Sequence, residues 1–299
     1  MTTRKPFEWP TALLAIAIYG GWAAVTWHHA ALPWWVLVPV GGWLVAWHGS
    51  LQHEVIHGHF TPWNALDRLI ALPPLALYLP YDLYRDSHCR HHRDDRLTDP
   101  HDDPESRYRT PEDWRRLDPV RRALIAAQAT VIGRLVIGPA WEIARALVLD
   151  ARAAVTGDRD VLVAWVWHLP FLGLVLWWVV VVVDMDPATY VACFVLPGVG
   201  LTLMRSFAEH RAVAAIDGRT AVVENFLPFG LLYLFNNLHI AHHADPKLAW
   251  YRLPAAWRAR RSAVLAAGRA PIYAGYLDLW RRFALRPHDQ PVHPLGRAP

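Results

Sequence analysis

Residues 161–183, VLVAWVWHLPFLGLVLWWVVVVV, contain no charged side chain. About 20 predominantly apolar residues in a helix cross the hydrocarbon core of a bilayer, because each adds about 1.5 Å of length. The stretch therefore reads as a membrane-spanning helix, and the rest of the chain can be read outward from it.

Downstream, a short polar connection at 184–187, DMDP, leads into another apolar run at 188–204. Upstream, apolar runs at 11–28 and 33–51 are separated by only a few residues. The pattern predicts an all-α integral membrane protein with about four transmembrane helices in two hairpins. The first run follows Arg4 and Lys5, and it is too long and too poor in a small-residue cleavage site to read as a signal peptide. Apolar residues make up 54% of the 299, and many of the 17 Trp lie near the ends of these runs. Trp22, Trp27, Trp34, Trp35, Trp47, Trp177 and Trp178 suit the aromatic belts of a membrane interface.

The net charge of +4 and pI near 9.2 raise the possibility of nucleic acid as a partner. However, the Arg residues are interspersed with Asp and Glu and form no basic stripe, which argues against it. Arg is concentrated in 84–122 and 205–225 and absent from both hairpin tips, so the positive-inside rule places those stretches and both termini in the cytoplasm. Lys5 and Lys247 are the only lysines among 30 basic residues. That composition suggests a GC-rich bacterial gene, and hence a bacterial inner membrane.

Three further apolar pieces are too interrupted to read as spans. Residues 65–81 carry Asp67, Arg68, Pro73, Pro74 and Pro80, which favours a re-entrant or interfacial segment. Residues 123–149 mix in Arg134, Glu142 and Arg145 and read as an amphipathic surface helix. The piece 226–240 is short and is expected at the interface. Residues 1–285 are read as a single domain, followed by a Pro-rich mobile tail over 286–299. Cys89 and Cys193 imply no disulfide framework.

Histidine carries the chemistry. His53 and His57 lie in HEVIH, His88, His91 and His92 in HCRHH, and His239, His242 and His243 in HIAHH, so eight of 17 histidines sit in three short motifs. Residues three and four apart share a helix face, so each motif is expected to aim its imidazoles at one point. Eight nitrogens exceed the four ligands of a structural zinc site and point to two metal ions. Imidazole suits Zn, Cu, Fe or Ni, so the spacing does not choose the metal.

HEVIH by itself also fits the H-E-x-x-H pattern of a membrane zinc metallopeptidase, with Glu54 as general base. That alternative leaves both HxxHH motifs unexplained. The scattered histidines His28, His29, His48 and His168 read as polar groups near lipid headgroups. His59 falls off the shared face of the first motif, His101 is expected to be solvated in DPHDDPE, and His288 and His293 belong to the tail.

With HEVIHGH, HCRHH and HIAHH in this order and a membrane hairpin between the second and third, the chain resembles the membrane fatty acid desaturase superfamily over about residues 10–250. The stretch LYRDSHCRHHRDDRLTDPHDDPESRY is similar to bacterial members of the fatty acid desaturase branch. The resemblance implies a cytoplasmic helical cap holding two Fe ions. It further implies O2 as co-substrate and hydrogen abstraction from an unactivated C–H bond of a lipid or fatty acyl chain. A hydroxylase or carotenoid-type oxygenase of the same superfamily is the alternative.

The resemblance also assigns residues. The eight motif histidines match its metal ligands, and His210 in RSFAEHR is placed as a ninth. Glu54, Asp86 and Glu209 are candidates to hold imidazole N–H groups, and Asn236 or Asn237 to orient a ligand or bind water. No haem-attachment or iron–sulfur cysteine spacing is present, so electrons are expected from an external ferredoxin- or cytochrome-type donor. The Arg-rich surface suits either an acidic donor or anionic lipid.

Overall fold

The computed structural model describes residues 6–93, 96–213, 215–225 and 227–294, with Asn225 described by its backbone alone. The chain is mostly helical, as expected, and divides into two compact units, each built from two chain segments.

The first unit comprises Met1–Arg85 and Pro139–Thr202. It contains helices α1 (Trp9–Trp27), α2 (Trp34–Ile56) and α3 (Asn64–Ala71), and most of α8 (Gly138–Val155). Helix α9 (Arg159–Leu176) then continues as a π-helical stretch over Trp177–Val182. After the tip come α10 (Pro187–Tyr190), a second π-helical stretch over Val191–Val195, and the first half of α11 (Leu196–Glu209).

Among the described residues, three helices are long and apolar enough to cross a membrane: Trp9–Trp27, Arg159–Val182 and Pro187–Glu209. Helix α2, expected as a fourth span, has 23 residues but ends in the polar sequence HGSLQHEVI. Its last turns carry the first histidine motif in place of lipid-compatible side chains.

Small residues set the packing. A Cβ added at Gly41 would lie 2.7 Å from Cys193 O, one at Gly42 2.8 Å from Pro197 Cβ, and one at Gly198 2.6 Å from Val45 Cβ. Helix α2 therefore meets the Val191–Val195 stretch and the start of α11 at backbone distance, the small-residue mode of membrane helix packing.

The proline-bearing segment after α3 is irregular, and carbonyls of the last turn of α3 and of this segment are bonded by side chains of the surrounding helices. Ile70 O accepts from Tyr19 Oη at 2.5 Å, and Ala71 O from Gln52 Nε2 at 2.8 Å. Leu75 O accepts from Tyr190 Oη at 2.8 Å, and Leu77 O stands 2.8 Å from His168 Nε2. Irregular backbone among membrane helices is tolerated only where protein or water supplies such partners. His168 is therefore buried on a carbonyl, and His48 is buried 3.0 Å from Tyr19 Oη. Neither faces a headgroup region as the sequence reading expected. Both satisfy polar groups inside the unit.

The second unit comprises Asp86–Gly138 and Leu203–Pro299. The sequence expected to form one surface helix over 123–149 is broken into parts of α6 (Pro119–Ala127), α7 (Val131–Val136) and α8. Thr130 restarts the helix by accepting from Gly133 N at 3.0 Å, an N-cap bond that satisfies a terminal donor. Asp118 caps α6 in the same way, and Thr110 caps α5 (Pro111–Arg116).

A two-stranded parallel sheet, unforeseen in the sequence, pairs β1 (Val222–Asn225) with β2 (Ile272–Gly275) through Val222↔Ile272 and Val223↔Tyr273. Val222 joins Leu238, Ala241, Leu253 and Trp257 in a buried cluster. This core holds α13 (His239–Ala244) by its Ala241 face against α14 (Leu253–Ala267), which leaves the histidine face of α13 free to point elsewhere. Burying such side chains contributes roughly 1.5–3 kcal/mol each. Toward the C-terminus, Tyr276, which opens α15 (Tyr276–Phe283), packs its ring 5.0 Å from that of Phe229 on α12 (Phe229–Leu232). The last five residues of the expected tail lie outside the described residues.

Candidate metal centre

Helix α4 (Tyr81–His91) presents HCRHH, and α13 presents HIAHH. For HCRHH and HIAHH, the expectation that a motif aims all its imidazoles at one point is corrected by the structure. Within the second unit, His88, His92 and His242 each offer a nitrogen to one group, and His91, His210, His239 and His243 to another, with all ligand atoms of a group within 4.8 Å of one another.

The reason is helical geometry. At 3.6 residues per turn, adjacent residues diverge by about 100°, whereas residues i and i+4 diverge by only about 40°. His88 and His92 therefore pair, as do His239 and His243, while His91 and His242 at the i+3 positions turn toward the other group. An HxxHH motif is thus a bridge between two centres.

The facing atoms are Nε2. His88 and His92 stand 3.0 Å apart, and His92 and His242 3.1 Å. In the other group His91 and His210 are 3.0 Å apart, His239 and His210 2.9 Å, and His243 and His239 3.2 Å. Two nitrogens each about 2.0–2.1 Å from one ion, and at right angles about it, would be roughly 2.9 Å apart.

Four of the opposite ring nitrogens are held by acceptors. His88 Nδ1 lies 2.9 Å from Glu105 Oε1, and His91 Nδ1 2.9 Å from Asp103 Oδ1. His210 Nδ1 lies 3.3 Å from Arg219 O, and His239 Nδ1 3.2 Å from both Asn236 O and Asn236 Oδ1. An imidazole donating from Nδ1 presents a lone pair at Nε2 when neutral, the tautomer a metal requires. Lone pairs converging at about 3 Å in a buried space repel one another unless a cation lies between them. The donor set therefore fits metal ions.

Burial keeps His88, His210 and His239 neutral, whereas His91 is pushed the other way. Burial, with the neighbouring imidazoles, pushes His210 and His239 well below the usual histidine range, so both stay neutral. Burial also lowers His88. For His91, burial acts downward but the Glu105 and Asp103 carboxylates outweigh it and raise the ring to about 9. Burial works to raise Glu105, yet His91 and His88 hold it well below the carboxylate range, keeping it an ionised acceptor.

Among the other candidates, Glu209 is buried 3.0 Å from Arg205 and 3.4 Å from His239 Nδ1, and Asn236 Nδ2 donates to it at 3.4 Å. Asn236 thus links Glu209 to a ring of the second group. Asn237 does something else: its Nδ2 donates to Val223 O at 2.7 Å, fastening the chain before α13 to β1. Asp86 is exposed on α4. In the first unit, His53 and His57 close α2 with rings 4.8 Å apart, and buried Glu54 lies 3.7 Å from His53 Nδ1. His59 is buried and donates its backbone N–H to Glu54 O at 3.0 Å.

The carboxylates on His88 and His91 escaped the sequence reading. Asp103 and Glu105 lie in the same DPHDDPE loop in which His101 is exposed, and the dense acid content directly after HCRHH was the available signal. A cavity of about 670 Å³ reaches His243, walled in part by Leu97, Ile216 and Ile240, with the Asp217–Arg269 ion pair at 2.9 Å on its border.

The family model described as fatty acid desaturase matches residues 30–275. Compared with curated proteins, the chain has no match.

Proposed function

Because this chain belongs to the fatty acid desaturase family, we propose that it is an O2-dependent desaturase of membrane lipid or fatty acyl chains, with a di-iron centre. The observation that carries the proposal is the division of the two HxxHH motifs between two imidazole groups, with Nδ1 of His88, His91, His210 and His239 turned onto acceptors. The family supplies the choice of iron, and imidazole ligation is compatible with it.

In this reading His88, His92 and His242 hold one ion, and His91, His210, His239 and His243 the other. His53 and His57 are proposed as the remaining ligands, on the strength of the spacing of the first motif and the family pattern. When bound, iron supplies O2 activation and the removal of hydrogen from two adjacent carbons. The protein's part is to keep each Nε2 aimed. Glu105 and Asp103 do this by holding Nδ1 of His88 and His91, and Asn236 with Glu209 by holding that of His239. Converting a CH2–CH2 unit to a double bond while reducing O2 to two waters takes two further electrons and two protons, which a separate ferredoxin- or cytochrome-type donor is proposed to deliver.

Helix α2 is proposed as the fourth span beside the three apolar helices. With it the histidine motifs and both termini fall on the cytoplasmic side, in a bacterial inner membrane, as the Arg distribution supports. The test is expression with compatible donors followed by mass spectrometry of lipids. A product two hydrogens lighter, formed only with O2, is expected. A product that gains oxygen would replace the proposal with a hydroxylase or carotenoid-type oxygenase. Peptide cleavage with one zinc per chain would replace it with the HEVIH metallopeptidase.

A further inference from the structure

Residues 288–293 make an ordered set of contacts with the second unit. His288 donates its backbone N–H to Ala129 O at 2.7 Å, and its ring Nε2 stands 2.6 Å from Tyr273 Oη. Asp289 accepts from Tyr108 Oη, which itself accepts from Ala212 N at 2.9 Å, two residues past His210. Arg109 N donates to Pro291 O at 2.8 Å, and His293 N donates to Arg109 O at 2.9 Å.

His293, only 3% exposed, places its ring Nε2 3.4 Å from Thr98 Oγ1. Thr98 has φ of 69°, a left-handed conformation that a β-branched residue keeps only where its surroundings hold it. Ser106 Oγ donates to Thr98 O at 2.9 Å, and Thr98 N–H donates to Asp103 Oδ2 at 2.9 Å. The other oxygen of Asp103 is the one that holds His91 Nδ1.

We propose that the C-terminal segment 288–293 is a positioning strap for one of the two imidazole groups: His293 fixes Thr98, Thr98 fixes Asp103, and Asp103 fixes His91. The segment lies almost 200 residues from Thr98 and reads in sequence as a Pro-rich end, so nothing local links the two. The strap rests on the reading that these groups hold metal. Its predicted effect falls first on His91, which Asp103 holds directly, and reaches His88 at one remove, through the Glu105 N–H that also bonds Asp103 Oδ1 at 2.9 Å.

The test uses the full chain loaded anaerobically with Fe(II), and measures iron release to a chelator. Wild type should hold two irons. His293→Ala and Thr98→Val should each release one iron about 10–100-fold faster, the usual effect of losing a hydrogen-bond partner behind a ligand, while the second is accelerated much less. His293→Gln, which can still hydrogen-bond Thr98, should restore slow release. Thr98→Val removes only the hydroxyl and carries the same expectation if His293→Ala does not accumulate. Unchanged release of both irons, or equal acceleration of both, would overturn the strap. Fewer than two irons in wild type would instead overturn the metal reading beneath it.

Discussion

His91 and His92 are neighbours in the chain, yet their rings stand 5.9 Å apart at 73° and turn into different imidazole groups. One peptide unit of α4 thus links the two candidate centres. Small rotations of α4 would move a ligand of each at once, so the residues that fix this helix end, Asp103 and Glu105, bear on both.

Tyr190 tests how the irregular segment of the first unit is held. Its hydroxyl donates to Leu75 O at 2.8 Å and accepts from Trp22 Nε1 at 3.0 Å. Tyr190→Phe leaves a buried donor and a buried acceptor without this partner, at a cost of roughly 1–3 kcal/mol. Thermal unfolding in detergent should show the loss as a lower Tm.

Gly198 tests the helix contact. Its Cβ position lies 2.6 Å from Val45 Cβ and 3.2 Å from Gly42 O, leaving no room for a side chain. Gly198→Ala should destabilise by about 1–3 kcal/mol, and Gly198→Leu should prevent accumulation of folded protein. Yield of monodisperse protein on size exclusion reads both.

Arg205 and Glu209 form a buried ion pair at 3.0 Å, with 7% and 6% of their side chains exposed. Removing one partner of such a pair leaves an uncompensated charge, at a cost of roughly 3–5 kcal/mol. Arg205→Met should therefore destabilise strongly, whereas the double change Arg205→Met with Glu209→Gln should recover much of the loss. Denaturant titrations of wild type and the two variants compare the two effects.

His288 predicts a pH response. Burial and the nearby arginines lower its ring to about 4 in the folded protein, against about 6.5 unfolded. The folded form therefore binds its proton less readily, and stability is lost as pH falls from about 6.5 to about 4, then levels off. The shift corresponds to on the order of 3 kcal/mol. His288→Gln should flatten that part of the profile, followed by Tm against pH.

Much of this architecture was legible from patterns that depend on local chemistry. The uncharged run at 161–183 announced a membrane helix, and the i, i+3, i+4 spacing announced imidazole clamps. The assignment of His91 and His242 to the opposite groups was missed because shared-face reasoning treats i+3 and i+4 as equivalent, although they are adjacent residues about 100° apart. His48 and His168 were misplaced because a lone histidine in an apolar run reads the same whether it meets a headgroup or a backbone carbonyl. Asn236 and Asn237 were indistinguishable in sequence, and only the position of β1 gives Asn237 a carbonyl to bond. The β1–β2 pairing joins segments some 50 residues apart, a separation at which short strands leave no periodic signal.

If neighbouring histidines serve different ions, iron per chain in anaerobically loaded His91→Ala and His92→Ala reports it. Two irons in wild type and one in each single variant is the predicted result. One metal in wild type, or unchanged iron in either variant, would contradict it.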